Sequence, residues 1–146
     1  MTNLETSMNL LGMFKHASRN LKYPSITFPY NNSKVRMYLT GTGYVAVKID
    51  GEYQGRIDFN KNTNEHIFKM YFCDNVLRAL IEKVYYEPEI NLAIAGKKYG
   101  SCCFCGRELI EKASVYWGYG PICAENYGLP HFFPESAKQN YDDVEI

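Results

Sequence analysis

The chain of 146 residues lacks several features that mark well-known functional classes. Its 16 Lys and Arg residues balance 16 Asp and Glu residues, so the net charge is zero. This argues against strong non-specific binding to duplex nucleic acid, which depends on neutralised phosphates. No segment approaches the roughly 20 apolar residues of a membrane span, and the N-terminus has no charged start followed by an apolar signal run. We therefore expect a soluble protein in the reducing cytoplasm.

Motifs typical of enzymes are also missing. Residues 41–43 (GTG) have neither the spacing of a phosphate-binding loop nor a helix after them. The chain has only three histidines, His16, His66 and His131, and they are scattered. The His-x-Glu sequence of zinc deaminases is absent. We therefore expect no enzymatic activity.

Cysteine, in contrast, is concentrated in one stretch, because four of the five cysteines lie within residues 101–131. Cys102 and Cys105 form a C-x-x-C pair, and a tight turn at such a pair directs two sulfurs to one point. Gly106 follows at once and lets the backbone fold back without a Cβ clash. The spacing predicts a structural Zn²⁺ site, with a redox pair or buried free thiols as alternatives.

A third thiol, that of Cys123, belongs to the predicted ligand set. Cys123 follows Pro121, which suits the first turn of a short helix, where the helix dipole favours a thiolate. We expect His131 to be the fourth ligand, returning on a loop. Cys103, Cys73 or a water molecule remain alternatives for this position.

The C-terminal pattern resembles an uncharacterised zinc-finger-like family of phage, prophage and actinobacterial proteins. The shared residues are C-x-x-C-G-R-x-L, Ser114, G-Y-G-P-x-C and G-L-P, with further matches at residues 23–24 and 55–57. The resemblance covers roughly residues 21–130 and implies a zinc-finger-like fold with a bound metal, but no particular activity. A phage origin would place the protein in the host cell cytoplasm. Members tend to carry Trp where this chain has His131.

Period-two alternation of apolar residues predicts an antiparallel meander of four or five strands before residue 73. The first strand is expected at residues 25–28, and Asp50-Gly51 is a strong signal for a two-residue hairpin. An amphipathic helix is predicted over residues 4–20, before Tyr23-Pro24. The fold class is therefore α+β, with a β-meander packed by helices.

Further helices are predicted after the meander. One begins at Asp74 and runs to residue 86, and another covers residues 89–95 and ends at Gly96. After the C-x-x-C turn, residues 108–110 and 114–117 are expected to form a small hairpin. Residues 121–127 then form a short helix, which makes the C-terminal part a treble-clef-like zinc finger. We expect the sheet and helices in residues 1–98, the finger in 99–134, and a loosely ordered acidic tail in 135–146.

The outward face of the predicted sheet combines aromatic and basic side chains, as in proteins that bind single-stranded nucleic acid. The candidate contact residues on this face and near the cysteines are Arg36, Tyr38, Tyr44, Lys48, Arg56, Lys97, Lys98 and Arg107. A solvated sheet face is the simpler alternative.

We expect a nucleic-acid-binding accessory protein that prefers single strands over duplex. The neutral charge and 13 tyrosines also fit a protein-interaction module that binds and inhibits a host or defence protein. The oligomeric state stays open.

Overall fold

The computed structural model describes residues 8–71 and 74–132. Within them the chain forms a five-stranded antiparallel sheet whose strands are adjacent in sequence order. The strands are β1 (Ser25–Tyr30), β2 (Ser33–Leu39), β3 (Val45–Ile49), β4 (Glu52–Asn60) and β5 (Glu65–Met70). The helices are α1 (Leu10–Ala17), α2 (Asn75–Tyr86), α3 (Pro88–Tyr99), α4 (Lys112–Trp117) and α5 (Pro121–Tyr127). The predicted fold class, an antiparallel meander with helices and a C-terminal cysteine cluster, is confirmed.

Turn chemistry fixes the register of the central hairpin. Asp50 and Gly51 have φ values of 49° and 87°, which fits the two-residue turn predicted from their sequence. The Asp50 carboxylate accepts a hydrogen bond of 2.9 Å from the Lys34 backbone N–H, and this bond is the main reason why the pKa of Asp50 is lowered. The turn between β3 and β4 is thereby also tied to β2.

The core lies between one face of the sheet and the helices. Apolar residues of alternate strand positions face α1 and α2, as period-two alternation requires. The larger fully buried members from the strands and these two helices are Leu10, Met13, Phe14, Ile26, Val35, Met37, Val45, Val47, Ile57, Ile81 and Tyr85. The opposite face of the sheet is thus left to polar and aromatic side chains.

Helix α1 is shorter than the predicted helix over residues 4–20. It begins after Asn9, whose side chain accepts a hydrogen bond from the Gly12 backbone N–H, and residues 1–7 lie outside the described residues. Its end falls at Ala17 because the Ser18 hydroxyl donates to the Lys15 carbonyl. Such a side-chain bond competes with continuation of the helix. The prediction that α1 continues to residue 20 was therefore wrong.

Helix α3 does not end at Gly96, as predicted, but continues to Tyr99. Gly100, with φ of 67°, provides the left-handed residue that closes it. Gly96 has a different role, because a Cβ atom there would overlap the backbone of Gly118. The glycine therefore allows the backbones of α3 and the end of α4 to come into contact.

Helix α4 replaces the hairpin predicted for residues 108–110 and 114–117. Glu108 forms only an isolated bridge with Ser101. The helix begins after Glu111, which is extended, and the Ser114 hydroxyl donates to the Glu111 carboxylate at 3.1 Å. This contact fixes a first helical turn, so local side-chain bonding overrides the apparent strand alternation.

Two further predictions fall on residues outside the described ranges. These are the role of Cys73 and the loosely ordered tail at residues 135–146. Among the residues that are described, no helix has the length and apolar character that crossing a bilayer requires.

Candidate metal centre

Three of the predicted ligands meet at one point. The Sγ atoms of Cys102, Cys105 and Cys123 all lie within 4.8 Å of one another. Cys102 and Cys123 are buried, whereas Cys105 is exposed. The cluster is therefore open to solvent on one side.

The backbone around the C-x-x-C pair folds into a tight knuckle. The Gly106 N–H donates to the Cys102 carbonyl at 2.7 Å, and the Cys102 N–H donates to the Arg107 carbonyl at 2.9 Å. Gly106 has φ of 78°, a conformation that other residues adopt at a cost. These bonds turn the chain so that both sulfurs point the same way, as the C-x-x-C-G sequence predicts.

Cys123 reaches the cluster from the first turn of α5. Pro121 opens this helix after Gly120, which is extended. The preceding Tyr119 is fully buried and its hydroxyl donates to the Pro130 carbonyl at 2.7 Å. Phe104, between the two knuckle cysteines, stacks on Tyr127 of the same helix at 4.0 Å between ring centroids. The aromatic contacts thus hold α5 against the knuckle.

The protein stabilises negative charge on Cys102. A hydrogen bond from the Cys123 thiol, followed by the backbone N–H groups of Gly120, Cys105 and Phe104, lowers the pKa of Cys102 to about 5. The pKa of Cys123 is raised, mainly because its S–H is held by Cys102 and secondarily by burial. The hydrogen bond between the two sulfurs thus favours the ionised form of Cys102, and a bound cation would take the place of the shared proton.

The donor set fits zinc. Three thiolates around one Zn²⁺, each at about 2.3 Å in a tetrahedral arrangement, lie about 3.8 Å apart, within the spread of the three sulfurs. Sulfur ligands also favour zinc over magnesium or calcium, which prefer oxygen. The three cysteines would hold the metal, and its chemistry there would be to cross-link the knuckle to α5.

Cys103 does not belong to the cluster. Its side chain is 6% exposed and its thiol lies 3.8 Å from the Leu92 carbonyl of α3, to which it donates. Burial raises the pKa of Cys103, so the neutral thiol is favoured. This cysteine is a core residue, not an alternative ligand.

His131 is not brought to the three sulfurs. Its Nε2 lies 2.9 Å from the Ser114 Oγ and 3.7 Å from a Glu111 carboxylate oxygen. Ser114 is 3% exposed and is the buried polar residue of this region. Spacing along the sequence gave no signal for this three-residue contact, because it joins the start of α4 to a loop beyond α5. The geometry thus gives His131 the role of holding that loop against α4. It does not place His131 as the fourth ligand of the cysteine cluster.

The cysteine knuckle and α5 contact the edge of the sheet. The Thr27 N–H of β1 donates to the Cys103 carbonyl at 2.8 Å. The Tyr127 hydroxyl accepts a hydrogen bond from the Ser25 N–H at 3.0 Å and donates to the Ser25 carbonyl at 3.1 Å. Burial raises the pKa of Tyr127 to about 12, so this hydroxyl keeps its proton. The knuckle and α5 thus both attach to β1.

The predicted contact residues of the sheet do lie together on its outer face. Arg36 pairs with Lys48 across β2 and β3, and Ala46 pairs with Arg56 across β3 and β4. The Tyr38 ring lies under two cations, at 4.9 Å from Arg36 and 5.5 Å from Lys48. The geometry forms a surface of alternating aromatic and basic groups, which we call the outer face (residues 36, 38, 44, 48 and 56).

The remaining candidates lie on other elements. Lys97 and Lys98 are on the last turn of α3, over the rings of Tyr116 and Tyr99 at 4.8 and 5.7 Å. Arg107 is exposed in the knuckle. These three cations are therefore not part of the outer face.

Two comparisons found no match: neither a curated protein nor a solved structure matches the chain. A third found a match in the C-terminal part alone. Residues 95–128, which contain the three clustered cysteines, are similar to a family of unknown function, DUF6011.

Proposed function

We propose that the protein is a small zinc-binding accessory protein that binds single-stranded nucleic acid with the outer face, and that its metal has a structural role without catalysis. The observation that carries this proposal is the Tyr38 ring with the cations of Arg36 and Lys48 close to it, at 4.9 and 5.5 Å from its centroid. Bases stack on aromatic rings while cations contact the adjoining phosphates, so such a surface suits a flexible single strand.

A second pair of the same kind lies beside the first. The Arg56 guanidinium is 4.9 Å from the centroid of the Tyr44 ring. Between the two pairs lies Ala46, which is opposite both Tyr38 and Arg56 in the ladder and is 1% exposed. Because the side chain of Ala46 is small, the neighbouring rings and cations project further from the sheet than it does. This arrangement supports stacking of more than one base.

The charges of this face are only partly neutralised by the protein. Asp58 forms ion pairs with Arg56 at 3.2 Å and with Lys69 at 2.9 Å. Arg36 and Lys48 form no ion pair within the described part of the chain. A local positive potential therefore remains although the whole chain is neutral, which favours a short contact with few phosphates over extensive duplex binding.

The test is fluorescence anisotropy with labelled single-stranded DNA and RNA of about ten nucleotides and a duplex of the same sequence. We expect Tyr38→Ala to weaken single-strand binding about tenfold, because one stacked base contributes roughly 1–3 kcal/mol. Raising salt from about 50 to 200 mM is expected to weaken binding only modestly, since few phosphates are contacted.

Tyr23→Ala is the matched control for Tyr38→Ala. Tyr23 is 60% exposed and lies under a cation, Lys22, but outside the sheet. Equal losses in the two variants, or no binding to any nucleic acid at low salt, would refute the proposed function.

The second candidate is a module that binds and inhibits a host or defence protein. It is favoured by Ile90 and Ile94, one turn apart on α3 and 60% and 58% exposed. The phage resemblance of the cysteine segment supports a host partner in the cytoplasm. A protein complex centred on these apolar residues would change little with salt, whereas nucleic-acid binding weakens as salt rises.

A further inference from the structure

The three clustered cysteines share a wall of one cavity. This cavity has a volume of about 550 Å³ and is lined by Cys102, Cys105 and Cys123. The apolar side chains of Leu109 and Ile122 also line this cavity. A ligand in the cavity would therefore lie beside the sulfurs in a largely apolar environment.

The described residues supply three metal ligands and no fourth. Across residues 8–71 and 74–132, no His, Cys, Asp or Glu other than these three cysteines belongs to the group. His131, the fourth ligand expected from the sequence, is held by Ser114. Zinc in proteins is nearly always four-coordinate, so a fourth donor is required.

We propose that the fourth coordination position opens on this cavity and takes a thiolate that comes from outside the chain. Thiolate is the soft donor that matches a zinc already held by sulfur. Three thiolates leave the centre with one net negative charge and a fourth adds another. Arg107 lines the cavity together with Glu108 and Glu111, and its positive charge offsets part of this increase in negative charge.

Binding of the thiol is a proton exchange without oxidation. The S–H bond of the incoming thiol would break, its electron pair would form the bond to the metal, its proton would pass to solvent, and a water molecule would leave the fourth position. The cavity has room for a small thiol or for the cysteine side chain of another protein. Both sources present the same donor, and the experiment is arranged to separate them. The proposal rests on the metal centre alone and does not depend on nucleic-acid binding.

The experiment uses the full-length protein loaded with Co²⁺, whose absorption spectrum reports the number of sulfur ligands. 2-Mercaptoethanol is added to one sample, and a short apolar peptide with a single cysteine to another. We expect the sulfur-to-cobalt charge-transfer absorption to rise by about one third, as four Co–S bonds replace three. The peptide with serine in place of cysteine should cause no change. Saturation by the peptide at lower concentration than by mercaptoethanol would identify a protein cysteine as the preferred source, and the reverse order would identify a small thiol.

Variants test whether a donor within the chain fills the position instead. We expect the spectrum of the thiol-free protein to be the same in His131→Ala, in Cys73→Ser and in the matched control His16→Ala. An altered spectrum in His131→Ala or Cys73→Ser alone would overturn the proposal, as would the absence of any response to millimolar thiol. Arg107→Gln should weaken thiol binding severalfold relative to Arg19→Gln, and equal binding in these two would refute the role given to Arg107.

Discussion

Neighbouring cysteines of the knuckle have opposite environments. Cys102 accepts hydrogen bonds and has a pKa lowered to about 5, whereas burial raises the pKa of Cys103. The difference arises from backbone direction, since one thiol faces N–H groups and the other faces α3. The sequence identified Cys102 and Cys105 because a C-x-x-C turn is local, and it identified Cys123 because Pro121 indicates the start of a helix. It could not place Cys103 with certainty or exclude His131, because those positions depend on contacts distant in sequence.

The knuckle makes a direct prediction about metal content. Cys105→Ser should reduce bound zinc from about one ion per chain to a small fraction, because the site loses one of its three sulfurs. Cys105 is exposed, so the substitution disturbs packing little. Elemental analysis of the purified proteins measures the effect.

Cys103→Ser is the control for this prediction. It should keep its zinc while lowering the free energy of unfolding by about 1–3 kcal/mol, because it buries a hydroxyl in an apolar site. Loss of zinc from this variant as well would contradict the assignment of the ligands.

His66 makes stability depend on pH. Asn9 Nδ2 lies 3.3 Å from His66 Nε2, and the Tyr85 hydroxyl lies 2.6 Å from Nδ1. Burial, and then the charge of Lys15, lowers the pKa of His66. Because the unfolded chain, with a histidine pKa of about 6.5, takes up the proton first, this contribution to stability is complete above about pH 6.5 and is lost as the pH falls below it.

Denaturant unfolding of the wild-type protein and His66→Gln between about pH 8 and pH 5 tests this prediction. The wild-type midpoint should fall more steeply than that of the variant below about pH 6.5. If the unfolding midpoints of the two proteins changed with pH in parallel, the role given to His66 would be contradicted, since the other acidic and cysteine groups titrate in both proteins.

At the level of secondary structure, the contact between α3 and α4 depends on two glycines. A Cβ atom at Gly96 would overlap the Gly118 backbone, and one at Gly118 would overlap the backbone of Ala93. Backbone atoms cannot move aside as the end of a flexible side chain can. This close contact explains why a helix tolerates glycine in its interior despite its low propensity.

Gly96→Ala should therefore lower the free energy of unfolding by about 1–3 kcal/mol, although alanine favours the helix. Gly41→Ala is the control, because nothing lies within 4 Å of a Cβ atom there, and its effect should stay within about 0.5 kcal/mol. Thermal or denaturant unfolding measures both. Equal stabilities of the two variants would show that the helices can separate without cost.

The elements differ in how well the sequence predicted them. Alternation and the Asp50-Gly51 turn predicted the sheet correctly, because strand pairing in a meander is local. The errors at Gly96 and in α4 have a common origin. Gly96 was interpreted as a stop signal, but its role is set by a helix distant in sequence, and Ser114 forms a side-chain bond that periodicity does not reveal.

For the whole molecule, the tryptophan offers a reporter of the part that contains the cysteine cluster. Trp117, the chain's one tryptophan, ends α4 and stacks on Tyr119 at 6.2 Å between ring centroids. The core of the sheet, in contrast, consists mainly of residues from the strands, α1 and α2, and of the C-terminal part only a few residues such as Cys103 and Tyr127 reach it. Trp117 thus allows an experimental test of the predicted boundary near residue 98 between the sheet with its helices and the cysteine-containing part.

Removal of zinc by a chelator should change the fluorescence of Trp117 and leave the far-ultraviolet circular dichroism of the sheet largely intact. The reason is that a metal-held knuckle loses its cross-link to α5, whereas the core of the sheet contains no ligand. Simultaneous loss of both signals would contradict two separable units, and an unchanged fluorescence would contradict a structural metal.

The attachment of the Cys103 carbonyl to the Thr27 N–H has a consequence for self-association. β1 is an outermost strand of the sheet, and an uncovered border of this kind invites pairing with other molecules. With the knuckle in place, part of that border is occupied. Once a chelator has removed the metal, concentrated samples of the protein are therefore expected to form β-rich aggregates. A bound ion would thus keep the protein soluble as well as hold the knuckle against α5.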